Sequence, residues 1–65
     1  MTDAELKHDI LSLLKTSPCT LKEVIRAYPA IHEDRISSML LRLQVDGNIS
    51  YMYRVGLFKL EAAWT

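Results

Sequence analysis

Apolar positions along this chain fall into three helix-spaced stripes and then a run that alternates. Leu6, Ile10, Leu13 and Leu14 recur at i, i+4, i+7 and i+8, which predicts a helix from about Asp3 to Thr16 with one buried face. Lys7, His8, Asp9, Ser12 and Lys15 take its other faces. Asp3 and Glu5 at the start and Lys15 near the end suit the helix dipole. Ser17-Pro18 ends the segment, because the residue before a proline is driven to an extended conformation.

A second helix opens at Thr20-Leu21-Lys22-Glu23, where threonine followed three residues later by glutamate has the spacing of a capping box. Leu21, Val24 and Ile25 supply a short apolar face, and Pro29 limits the helix to about two turns. After a link at Pro29-Ala30-Ile31-His32, Ile36, Leu40 and Leu43, with Met39 beside them, predict a third helix over Glu33–Asp46. Gly47-Asn48 is its stop signal, since glycine accepts the left-handed conformation of a helix C-terminus.

The period then changes to two. Ile49, Tyr51 and Tyr53 alternate with Ser50, Met52 and Arg54, and Phe58, Leu60 and Ala62 alternate with Lys59 and Glu61. A four-residue loop, Arg54-Val55-Gly56-Leu57, sets Tyr53 opposite Phe58, Tyr51 opposite Leu60 and Ile49 opposite Ala62, which gathers one apolar face. Cys19 is placed to add a short third strand between the first two helices. The expected fold is therefore one mainly α domain over residues 1–65: three helices followed by a small β-hairpin at 49–62.

Sixty-five residues bound the function as well as the fold. A chain of this length buries about 60% of its unfolded surface, which leaves a thin core and no room for a large substrate cavity. Eight Lys/Arg balance eight Asp/Glu, which excludes a polybasic arm and an acidic tail but not a local patch. Residues 1–34 hold four basic and six acidic groups, and residues 35–65 hold four basic and two acidic groups, so the positive half is the third helix and the hairpin. The single cysteine, Cys19, excludes an internal disulfide and a thiolate zinc site, and reads as a small buried apolar residue. His8 and His32 have no further ligands at metal spacing, and His32 fits the residue before a helix. No nucleophile–base pair or phosphate loop is present, so neither an enzyme nor a cofactor is expected. The acidic, polar start Met1-Thr2-Asp3-Ala4-Glu5 is unlike a signal peptide, and no apolar run is long enough for a membrane span, so a cytoplasmic location is expected.

Helices two and three joined by a short turn and followed by a hairpin resemble a winged helix-turn-helix domain. The residues that carry the likeness are Thr20-Leu21-Lys22-Glu23-Val24-Ile25, Ile31 in the turn, and Ile36, Leu40, Leu43 and Gly47-Asn48-Ile49 around the exit of the third helix. The likeness spans nearly the whole chain. It implies binding of double-stranded DNA, with helix 33–46 in the major groove and hairpin 49–62 as the wing. With Ile36, Leu40 and Leu43 turned inward, Arg35, Ser38 and Arg42 fall on the outward face, flanked by Ser37 and Leu41. Arginine reads guanine bidentately, and serine reaches base edges or phosphates. Arg54 sits at the wing tip, and Lys22 and Arg26 on helix two are placed for phosphates. The resemblance implies a small transcription regulator of a prokaryote, plasmid or phage. One module contacts too little DNA for high specificity, so a homodimer is expected.

Two features point to an alternative, a winged helix that binds protein and not DNA. Glu33 and Asp34 open the third helix, where a DNA-reading helix meets phosphates, although they also stabilise the helix dipole. The tip Val55-Gly56-Leu57 is apolar, so Leu57 and Trp64 are candidate anchors for a protein partner. Trp64 either folds back onto the first helix or meets a second chain. Tyr51, Tyr53 and Phe58 are expected to pack the sheet against the helices, the other reading being a base-stacking platform.

Overall fold

A computed structural model describes residues 2–61. Helix α1 spans Asp3–Thr16, strand β1 Cys19–Thr20, helix α2 Leu21–Ala27, helix α3 Glu33–Val45, strand β2 Ile49–Met52 and strand β3 Leu57–Leu60. The three strands form an antiparallel sheet in the order β1-β3-β2. The result is a mainly α domain whose sheet includes the residue pair between the first two helices, and its layout is broadly that of a winged helix. No helix among the described residues is long and apolar enough to cross a membrane.

Local chemistry sets the helix ends. At α1, Thr2 Oγ1 accepts from the Glu5 N–H while the Glu5 carboxylate accepts from the Thr2 N–H, a reciprocal cap. The bonds from the Thr2 backbone and side chain hold the Glu5 carboxyl below its usual range. At α2 the same device recurs, with Thr20 Oγ1 accepting from Glu23 at 3.2 Å and Glu23 Oε1 accepting from the Thr20 N–H at 3.1 Å. Thr20→Ala is expected to cost about 0.5–2 kcal/mol, read as a lower thermal midpoint by circular dichroism. Tyr28 ends α2 in a non-helical conformation, as the following proline demands.

His32 caps α3, its Nδ1 accepting from the Asp34 N–H at 3.1 Å. At the far end Gly47 takes φ +80, its N–H donates to the Gln44 carbonyl, and the Asn48 N–H donates to that of Leu43. This pair of bonds is the Schellman arrangement that glycine permits. The helix proper stops at Val45, with Asp46 as the capping residue.

The core is wholly apolar among the described residues. Leu6, Ile10, Leu11 and Leu14 of α1 meet Val24, then Ile36, Met39, Leu40 and Leu43 of α3, with Cys19, Ile49 and Phe58 from the sheet. The stripe of α1 is rotated from the sequence expectation: Leu11 is buried and Leu13 only half-buried. The cause is β3, which packs against α1 and covers the side that carries Leu11.

The hairpin register also differs from expectation. Met52 pairs with Leu57, Tyr51 with Phe58, Ser50 with Lys59 and Ile49 with Leu60. The loop has four residues, but they are Tyr53-Arg54-Val55-Gly56. Gly56 takes φ +66 as the last of them, and its N–H donates to the Met52 carbonyl at 2.8 Å. Placing the left-handed residue there shifts every pair by two and leaves the faces unchanged, so Ile49, Tyr51, Phe58 and Leu60 still share the inner face. Two expectations fail as a consequence. Tyr53 leaves the sheet and is 86% exposed, and Leu57 leaves the loop to become a half-buried strand residue. Ala62, expected opposite Ile49, lies outside the described residues, and Ile49 pairs with Leu60 instead.

β1 completes the sheet as Cys19 suggested. Cys19 pairs with Phe58 and Thr20 with Leu57, so one threonine both pairs with β3 and caps α2. Burial, and then the nearby Glu23 carboxylate, push the Cys19 thiol above its ordinary value, which keeps it protonated and unreactive.

Candidate nucleic-acid interface

α3 is buried along Ile36, Met39, Leu40 and Leu43. At about 100° per residue, the opposite side of the helix carries Asp34, Ser38, Leu41 and Val45, with Ser37 on one shoulder. All five are exposed, Leu41 by 62% and Val45 by 78%. The crest of the helix is therefore acidic at its start, hydroxylic in the middle and apolar at its end.

Arg35 and Arg42 occupy the shoulder that faces α1. The Arg35 Nη2 donates to Asp3 Oδ1 at 3.0 Å, tying α3 to the first turn of α1. The pair is part-exposed, so solvent screens it and its contribution to stability is small. Arg35 is half-buried while Arg42 is exposed. Arg35, Ser38 and Arg42 are brought together in a depression of about 300 Å³ along the α1–α3 seam, where Asp3 and Asp34 also lie. A second depression of about 290 Å³ continues it past Lys7 and Asp46. Carboxylates and cations alternate along this seam, which holds no continuous positive field.

The remaining candidates stand on other elements. Lys22 and Arg26 are exposed on α2, and Arg54 is exposed in the β2–β3 loop between Tyr53 and Val55. Ser37 is on the other shoulder of α3 from the two arginines. Tyr53 rests edge-on against Tyr51, their ring centroids 4.9 Å apart, and Tyr51 in turn meets Phe58 at 4.8 Å. Phe58 thus packs the sheet on the helices, Tyr51 lies between core and surface, and Tyr53 is presented outward. Trp64 lies outside the described residues. Among the described residues no group of three or more His, Cys, Asp or Glu is arranged to hold a metal ion.

Sequence reasoning missed three elements of this surface. The Asp3–Arg35 tie joins residues 32 apart, and no local pattern announces it. The exposure of Val45 beside the expected Leu41 is readable from the helix period, since Val45 lies about 180° from Ile36. Tyr53 depends on the loop position, which only the placement of Gly56 reveals.

No protein-family model matches the chain, and no curated protein and no solved structure matches it significantly.

Proposed function

We propose that this domain is a winged helix-turn-helix protein that binds double-stranded DNA, with α3 along the major groove and the β2–β3 loop against the backbone. The observation that carries the reading is the layout: α3 exposes a full face, and the elements before and after it in the chain present free-standing cations, Lys22 and Arg26 on α2 and Arg54 in the loop. In this reading Arg42 reaches guanine or a phosphate, and Ser37 and Ser38 take base edges or phosphate oxygens. Arg35 acts in the position its bond to Asp3 sets. The small footprint favours two copies on repeated half-sites, as in a small regulator of transcription. The test is anisotropy of a labelled duplex at low salt. The reading expects binding that Arg42→Ala weakens, and undetectable binding would overturn it.

A second reading, docking to a protein partner, is favoured by one observation: Leu41 and Val45 stand exposed one turn apart on the crest of α3. Leu41→Lys separates the two. It adds a cation to a surface position, so DNA binding is expected to tighten, whereas an apolar protein contact would be lost.

A further inference from the structure

We propose that the β2–β3 loop holds a stacking site for an unpaired nucleobase, with the Tyr53 ring as its platform and Arg54 beside the adjoining phosphate. The site uses no residue of α3, so it takes single-stranded nucleic acid whether or not that helix reads a duplex. The ring is held and yet open. The Val55 and Gly56 N–H groups both donate to the Met52 carbonyl, which closes the loop that Tyr53 begins. Tyr53 stands at 87° to Tyr51 with the ring centroids 4.9 Å apart, and Tyr51 meets Phe58, a core residue. A perpendicular pair uses at most one face of each ring. Tyr53, 86% exposed, therefore leaves a whole face to solvent. A platform already in place costs little ordering entropy when a ligand arrives.

Charge and shape select the occupant. Between Asp46 and Glu61 the chain carries Arg54 and Lys59 and no carboxylate, so the ribbon favours an anion. Arg54 is exposed and follows Tyr53 directly. An open flat ring next to a guanidinium suits a planar group joined to a negative charge, which is the repeating unit of a nucleic-acid strand. Inside a duplex each base face is covered by its neighbours in the stack, so only an unpaired base can offer its face to Tyr53. Phe58 is buried and Tyr51 half-buried, which limits the platform to one ring and one base.

Anisotropy of a labelled oligothymidylate at low salt tests the site. An abasic strand of equal length, which keeps the phosphates and lacks the bases, is expected to bind roughly 5- to 100-fold more weakly. Tyr53→Ala is expected to weaken oligothymidylate binding by the same factor and to abolish the difference between the two strands, while Tyr53→Phe preserves it. An oligouridylate arm, equally dependent on Tyr53 if stacking alone decides, tells RNA from DNA as the source of the base. Should Tyr53→Ala not fold, the ring protons of Tyr53 in the unaltered protein are expected to shift upfield as the strand is added. Undetectable binding of the single strand, equal affinity for the thymidylate and abasic strands, or unmoved Tyr53 resonances overturns the proposal. So does a Tyr53→Ala chain that loses affinity for blunt duplex and single strand alike, which would make the ring a general part of the wing. Single strand bound through Tyr53 with no binding of blunt duplex supports this site and overturns the reading of α3.

Discussion

Leu43→Ala is expected to lower the thermal midpoint by roughly 10–30 °C, taking 1 kcal/mol as about 4–8 °C for a domain of this size. Leu43 is fully buried on α3 and sits among core residues from all the layers. Truncating such a leucine loses transfer free energy and leaves a cavity, together about 2–5 kcal/mol. A domain of this length has about 3–10 kcal/mol to lose, so the variant is left near its threshold. The core has no disulfide or metal among its described residues to take up the loss. Val45→Ala is the internal control. It lies two residues away and 78% exposed, and its effect is expected to stay within about 0.5 kcal/mol. Thermal circular dichroism of both variants checks the pair, and a Leu43 variant that melts with the control would mean that α3 is not packed as described.

Duplex binding is expected to fall about 10²-fold when salt is raised from 50 to 200 mM, if Lys22, Arg26, Arg42 and Arg54 each neutralise one phosphate. Each contact releases about 0.9 of a counterion, so the slope of affinity against salt counts the contacts. Arg54→Ala is expected to flatten that slope by about one, without changing preference among sequences. Anisotropy titrations at several salt concentrations measure both chains. An affinity that does not change with salt would point to the apolar crest at Leu41 and Val45 as the working surface.

How much of the molecule is legible in advance depends on how local each signal is. The three helices are readable to within a residue because their ends are written in adjacent side chains: Thr20 with Glu23, Tyr28 before Pro29, His32 before α3, and Gly47 after it. The inward seam of α3 is readable for the same reason, since Ile36, Leu40 and Leu43 need only the helix period. The hairpin is harder. A shift of two residues keeps every side chain on its face, so hydrophobic alternation does not tell Tyr51–Leu60 from Tyr51–Phe58 pairing, and the loop glycine decides. The set of the α1 stripe, with Leu11 in and Leu13 half-out, depends on where β3 lands, a tertiary fact with no local trace. The candidate site is legible as a set of residue types but not as a surface. Arg35 and Arg42 share the α1 shoulder, and the first of them is tied to a residue at the far end of the sequence.

Thr20 belongs to two elements at once, as partner of Leu57 in the sheet and as the capping residue of α2. The ribbon and the second helix therefore have no slack between them. Because β1 runs straight into α2 and β1 pairs with β3 through Cys19 and Thr20 alone, the twist of the ribbon and the direction of the second helix are set by the same two residues.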